Sequence, residues 1–191
     1  MRQLLVVIAL LFTQTVWSGD FEDGLAAYER KDYRTALSKF RSAALQGSSK
    51  AQYNLGIMYS NGHGVAQDYK EAVRWYRLAA QQGIPQAQVN VGAMYYNGQG
   101  VAQDYREAVR WYRLAAQQGN ALAQYNLGRM YWNGQGVLQD YLKAHMWLNI
   151  AAIAGDKDSV ENRDIASRNM TSPQIEQAQR MARECVASNF K

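Results

Sequence analysis

The feature that most constrains this chain is that it repeats itself. Residues 51–86 and 87–122 are each 36 residues long and differ at nine positions, and residues 123–155 begin a third copy. An earlier half copy, DYRTALSKFRSAALQG at 32–47, lies one period before DYKEAVRWYRLAAQQG. A period of this size marks a supersecondary unit that cannot bury its own apolar face and must stack on copies of itself. The class expected is therefore all-α, a solenoid of tandem helix–turn–helix repeats.

Within a unit the pattern predicts two helices, roughly Ala51–Ser60 and Tyr69–Gln82, separated by NGHGVAQ. The two glycines of that segment suit a turn needing backbone angles that other residues resist. Asp68 is placed to cap the second helix, and Glu71 three residues on is placed to complete a capping box, as are Asp104 and Glu107. Gly83, Gly119 and Gly155 follow the second helices, where a left-handed residue commonly ends a helix. Ala72, Tyr76 and Ala79 fall on one face, and that face recurs as Ala108, Tyr112, Ala115, as Ala144, Leu148, Ala151, and as Ala36, Phe40, Ala43. Small residues there let helices approach, and the aromatic or leucine fills the space between them. Leu55, Met58 and Tyr59 offer the matching side of the first helix, and Gly56 permits close contact.

The string LGxMYxNGxGVxQDYxxAxxW(Y/L), present at residues 51–155, resembles the Sel-one-like repeat (SLR) family, relatives of the tetratricopeptide repeats. The segment GLAAYERKDYRTALSKF at 24–40 is closer to a tetratricopeptide repeat, with a turn four residues shorter. The resemblance implies a right-handed α/α solenoid and a role as an adaptor that assembles protein complexes, often exported and serving the cell envelope or contact with host cells. It also implies that the first helices line the concave surface and the second helices the convex one. Some cysteine-rich relatives are associated with β-lactam binding or hydrolysis through paired cysteines in each repeat. Cys185 is the only cysteine here, so that activity is not carried over.

The expected organisation is a signal peptide at 1–18, a tetratricopeptide-like unit at 19–50, repeats at 51–86, 87–122 and 123–155, and a helical cap at 156–191. The leader reading rests on Arg2, the apolar run Leu4 to Phe12, and Val16 and Ser18 at the −3 and −1 positions before Gly19. That run is far shorter than the ~20 residues that span a bilayer, so the mature chain is expected to carry no integral span. The absence of a cysteine just after it argues against a lipid anchor. Periplasmic or secreted localisation follows. A lone cysteine allows no internal disulfide, so packing must supply stability.

The formal charge of +5 falls to +4 without residues 1–18, too little for a nucleic-acid partner. In the cap, Ser172 before Pro173 predicts a helix start, and Ile175, Ala178, Ala182 and Cys185 share a face. The replacements Met146 for Arg74 and Arg110, and Ile153 for Gln81 and Gln117, predict an apolar surface for that cap to seal. Cys185 is expected to be a buried small hydrophobe.

Catalytic constellations are lacking. His63 gives way to Gln99 and Gln135 in the other turns and is expected to be a solvated turn residue. His145 replaces Val73 and Val109 and is expected to be packed or interfacial. Neither has a partner at metal-ligand spacing, and no nucleophile elbow, P-loop or dinucleotide fingerprint occurs. No catalytic residue, cofactor or metal is expected. Arg74, Arg77, Arg110 and Arg113 read as a solvated face, with Arg74 and Arg110 able to pair with Glu71 and Glu107.

Comparing the copies separates architecture from variation. On the first helix the variable positions are Tyr53, Ile57 and Ser60, then Val89, Ala93 and Tyr96, then Tyr125, Arg129 and Trp132. Each trio lies on one helical face. Tyr53, Ile57, Val89, Ala93, Tyr96, Tyr125, Arg129 and Trp132 are thus the candidate protein-binding groove, in residue types enriched at hot spots. The alternative is that some of these aromatics pack between units. The function expected is a monomeric, non-catalytic adaptor of the envelope that binds a partner protein or peptide. A structural subunit of an envelope or secretion complex is the second reading, and a hydrolase related to the cysteine-rich relatives the third.

Overall fold

The computed structural model describes residues 19–155 and 157–188; the expected leader at 1–18 lies outside them. Every regular element among the described residues is helical. Residues 19–29 form α1. It is followed by α2 (Tyr33–Leu45), α3 (Ser49–Asn61), α4 (Tyr69–Gln81), α5 (Pro85–Asn97), α6 (Tyr105–Ala116), α7 (Ala121–Asn133), α8 (Tyr141–Ile153), α9 (Lys157–Ser167) and α10 (Ser172–Ala187). This is the expected all-α class of tandem helix–turn–helix repeats. The chain divides into two compact units, with the boundary in sequence between Ile84 and Pro85.

In the first unit α2 packs on α3 and α3 on α4. Phe40, Leu55 and Met58 are fully buried there among Ala27, Ala36, Ala43 and Ala51. Gly56 explains the fit: a Cβ at that position would lie 2.8 Å from Cγ of the Tyr76 ring, so only glycine lets the ring seat against the helix. Gly24 faces Phe40 in the same way, at 2.7 Å. α1 is fastened to α2 by Lys39, whose ammonium donates to Asp20 and Asp23 at 2.9 Å each. The Ser42 hydroxyl also donates to Asp20, and these bonds hold the Asp20 carboxyl below the ordinary aspartate range.

In the second unit α5 packs on α6, α6 on α7 and α7 on α8, and both α9 and α10 pack on α8. Gly92 meets Tyr112 as Gly56 meets Tyr76, and Gly128 meets the smaller Leu148. The cap is two helices, where the sequence pattern predicted one. Ala178 and Ala182 are buried and Cys185 is half-buried. Met146 is buried as expected, but Ile153 at the end of α8 is 67% exposed, so the cap does not cover it.

The turns explain most of the fixed residues. Asp68 caps α4 by accepting from the Lys70 and Glu71 amides at 2.8 and 3.1 Å, and Asp104 repeats this on α6. The expected capping box does not close. The Asp68 amide donates instead to the Tyr59 carbonyl, and the Glu71 carboxylate pairs with Arg74 at 3.4 Å. A reciprocal bond does form at α10, where the cap is Thr171, not Ser172: its amide donates to Gln174 Oε1 at 2.8 Å. Gln67, Gln103 and Gln139 donate to the carbonyls of Ser60, Tyr96 and Trp132, satisfying first-helix ends. Gly64 has φ +71, and a Cβ there would lie 2.6 Å from the Tyr33 carbonyl oxygen, so this second glycine lets the turn rest on the start of α2.

Buried glutamines form a second layer of ties. Gln52 donates to the Ala44 carbonyl at 3.2 Å and accepts from Gln82 at 2.8 Å. Gln88 likewise accepts from Gln118 at 2.8 Å. In the third copy Gln124 keeps the bond to the Ala116 carbonyl, but Ala154 stands where Gln82 and Gln118 stand. The buried Gln124 Oε1 is left without a partner among the described residues.

Candidate partner-binding site

The eight candidate positions divide by surroundings. Tyr53 and Ile57 are half-buried on α3, with the Tyr53 ring centroid 5.9 Å from that of Tyr76. Val89 must be withdrawn: it is 6% exposed and packs in the core of the second unit, because its isopropyl group is enclosed where Tyr53 and Tyr125 keep an exposed edge. Ala93 is half-buried on α5.

The aromatics at the ends of the first helices are partly structural. Tyr96 packs its ring 5.2 Å from Tyr105, and Trp132 sits 4.7 Å from Tyr141. Tyr28 and Tyr33 form the matching pair in the first unit at 5.3 Å. The Tyr96 hydroxyl donates to Gln135 Oε1 at 3.3 Å. His63, at the position equivalent to Gln135, does the same work for Tyr28. They share a hydrogen bond of 2.9 Å, and the imidazole stacks on Tyr33 at 4.5 Å. His63 is therefore packed, not a solvated turn residue. Histidine and glutamine interchange here because both reach back to an aromatic of the preceding repeat.

Arg129 is where the site gathers. It is exposed on α7, with its guanidinium 5.6 Å from the Tyr125 ring centroid. The Tyr125 hydroxyl accepts from Asn162 of α9 at 3.5 Å. Two clefts open beside Arg129. A small one of ~30 Å³ is lined by Tyr96, Tyr112, Asn126, Arg129 and Met130. A larger one of ~180 Å³ is lined by Arg129, Trp132, Asn133, Leu148, Asn162 and Ile165. Among the described residues neither lining contains an acidic side chain. Burial pushes the Tyr112 phenol well above the ordinary tyrosine range, reinforced by Tyr96 and opposed by Arg129. At neutral pH it is an uncharged hydroxyl able to donate.

Sequence comparison missed Asn126, Asn133, Asn162 and Ile165. Asn126 is matched by Asn54 and Asn90, and Asn133 by Asn61 and Asn97, so invariance among copies filed both under architecture. Asn162 and Ile165 come from α9, which lies outside the repeat and gave no periodic signal.

The remaining reactive groups are absorbed elsewhere. His145 is buried in α8; burial and Arg163 lower its pKa, with Asp164 opposing. Burial pushes the Cys185 thiol up, which keeps it protonated. Among the described residues there is no group of three or more His, Cys, Asp or Glu able to hold a metal ion. Nor is any described helix long and apolar enough to cross a membrane. Arg74 and Arg110 are exposed and pair with Glu71 and Glu107, as their spacing predicts.

A helix-pair frame of near-identical copies, stacked through the same small residues and knobs, defines a repeat scaffold of the tetratricopeptide-like superfamily. The profile described as the Sel1 repeat matches residues 49–84, 85–120 and 121–156, and the chain belongs to that family. No curated protein matches the sequence significantly. Among solved structures the chain is similar to a protective antigen of uropathogenic Escherichia coli strains displaying an SLR fold. The identity is 30% and the TM-score 0.62, over 82% of this chain and 42% of that one, so this chain spans less than half of the antigen. It is also similar to a Sel1 repeat protein from Oxalobacter formigenes, with 40% identity and a TM-score of 0.62 over 67% of this chain and 96% of that one. Cysteine-rich protein B of Helicobacter pylori shares the fold, with 17% identity and a TM-score of 0.55 over 67% of this chain and 95% of that one.

Proposed function

We propose that this protein is an exported, non-catalytic adaptor of the cell envelope that holds a partner protein or peptide on the first-helix face of its second unit. One observation carries the reading: Arg129, at a position where the other copies have Ile57 and Ala93, is an exposed cation shared by two clefts that no acidic side chain among the described residues lines. A scaffold that keeps its frame and varies its exposed positions is suited to recognition. Membership of the Sel1 repeat family supports the general role. Export rests on the leader-like pattern of residues 1–18.

The test is capture of partners from the native envelope fraction by wild type and by an Arg129→Ala/Trp132→Tyr variant whose helicity is checked by circular dichroism. Loss of a specific stoichiometric partner in the variant supports the site. Unchanged capture moves binding to another surface. Fractionation of cells expressing the full chain, with mass spectrometry of the amino terminus, tests export. A mature chain beginning at Gly19 is expected, and retention of Met1 in the cytoplasm overturns it.

A further inference from the structure

Arg129 is surrounded by groups that suggest what it holds. The larger cleft presents the Asn133 and Asn162 side-chain amides beside Arg129, with Trp132, Leu148 and Ile165 as apolar walls. The smaller cleft, which Arg129 also lines, adds Asn126 and Tyr112. Arg129 is not among the residues paired with a carboxylate within the described chain; its contact is the Tyr125 ring. An arginine held over an aromatic face is oriented while its N–H fork stays free to bind an anion. The Asn162 amide nitrogen is engaged with the Asp158 carbonyl at 2.8 Å and the Tyr125 hydroxyl at 3.5 Å, and that of Asn133 with Gln135 Oε1 at 3.4 Å. What these two side chains offer a peptide backbone is therefore their carbonyl oxygens, as acceptors for its N–H groups. Trp132 and Ile165 offer contact to an apolar side chain.

We infer that the Arg129 clefts take an acidic peptide segment, with a Glu or Asp carboxylate on the Arg129 guanidinium and the adjacent bulky apolar side chain against Trp132 and Ile165. This rests on the adaptor reading and deepens it by naming the chemistry of the partner. Charge complementarity decides the sign. Among the described residues a carboxylate entering either cleft meets one cation, neutral amides and, in the smaller cleft, a neutral phenol, whereas a basic segment meets a like charge. A charge-assisted Arg–carboxylate bond in such a setting is worth about a tenfold change in affinity.

The experiment uses four fluorescein-labelled decapeptides, acetylated and amidated, identical except for a central Glu-Leu, Gln-Leu, Lys-Leu or Glu-Ser pair. A fifth Gln-Leu peptide carries a free terminal carboxylate. Fluorescence anisotropy against the full chain gives the affinities. The Glu-Leu peptide is expected to bind about tenfold tighter than Gln-Leu, to weaken with added salt, and to lose most of that preference on Arg129→Ala. Because Ala93 occupies the equivalent position in the preceding copy, this variant retains a residue that the frame already accepts. Trp132→Tyr, which places at this position the residue type of Tyr96 in the preceding copy, is expected to narrow the Glu-Leu over Glu-Ser preference. Equal binding of Glu-Leu and Gln-Leu, an unchanged affinity in Arg129→Ala, or tighter binding of the free-carboxylate peptide than of Glu-Leu overturns the inference. So does binding of a uronic-acid oligosaccharide in place of every peptide. If the peptides fail while envelope capture still depends on Arg129, the adaptor reading stands and the acidic-peptide assignment falls.

Discussion

Helices α3 and α7 are the same element written twice, and they face solvent differently. Ala51, Leu55, Gly56 and Met58 of α3 are buried, and so are Ala123, Leu127, Gly128 and Met130 of α7. At the positions that reach the surface, Ile57 and Ser60 of α3 stand against Arg129 and Trp132 of α7. The lesson is one of division of labour. Close packing tolerates little volume change at the frame positions, so they stay fixed. An exposed residue such as Arg129 is less constrained by packing, so it can be assigned to recognition. Predictions that separate frame from surface test this division directly.

The largest effect is expected at the frame. Tyr112→Ala removes a ring that is 3% exposed and faces Gly92. It should lower stability by ~3–5 kcal/mol in denaturant unfolding, as large-to-small core changes do. A cost below ~1 kcal/mol would mean the ring is not a frame element. Next comes a direct contrast between the two helices. Gly56→Ala drives a methyl into the rigid Tyr76 ring, whereas Gly128→Ala meets Leu148 Cγ at 2.8 Å and the Ala144 carbonyl oxygen at 3.2 Å, a less severe overlap of which the leucine part can be relieved by a change of rotamer. Overpacking of this kind costs ~1–3 kcal/mol, and Gly56→Ala should fall at the upper end and Gly128→Ala at the lower. The reverse order would show that the aromatic and leucine knobs are not equivalent.

His145 tests where the third copy departs from the frame. It is buried where the earlier copies hold valine, and its folded-state pKa lies below the unfolded value. Above pH ~6.5 both states are neutral and the residue contributes no pH dependence. As the pH falls below that value, the unfolded chain takes up the proton first, so stability declines until the folded pKa is reached. The slope is at most ~1.4 kcal/mol per pH unit for one proton. His145→Val should remove this acid-side decline in thermal melts run between about pH 7 and 5, the range that brackets an ordinary histidine, and an unchanged profile would place the proton uptake elsewhere.

The sequence made the frame legible because the frame is periodic. The positions of Ala36, Ala72, Ala108 and Ala144, the Asp68 and Asp104 caps, and the glycines after the second helices all follow from spacing, since each serves the same contact in each copy. What spacing concealed is polar and non-local. Gln52 and Gln124 look like surface residues in an apolar helix, yet they are buried ties to the preceding second helix. His63 looked dispensable because glutamine replaces it, and the contact it shares with Gln135 exists only in three dimensions. At the candidate site, Arg129 was visible because it differs between copies. Its neighbours Asn126 and Asn133 were hidden because they do not, and Asn162 because α9 belongs to no repeat.

The missing tie yields a smaller prediction, this time of gain. Gln124 Oε1 is buried without the donor that Gln82 gives Gln52. Ala154→Gln restores the residue type found at that position in both other copies. Satisfying a buried acceptor should raise stability by ~1 kcal/mol. No change would mean that the end of α8 cannot bring a side chain to Gln124.

The smallest effect on stability is expected where the largest effect on binding is proposed. Arg129 is exposed, its equivalents are Ile57 and Ala93, and its contact is with the face of Tyr125. Replacing it by alanine removes a cation–π contact worth ~0.5–1 kcal/mol at an exposed site. Substitution at an exposed position of this kind should keep the net change in unfolding free energy within ~0.5 kcal/mol. A loss as large as that of Tyr112→Ala would make Arg129 part of the frame and return α7 to the same standing as α3. A stable variant that no longer holds an acidic peptide would separate the two helices: one frame, with a recognition residue present on α7 and absent from α3.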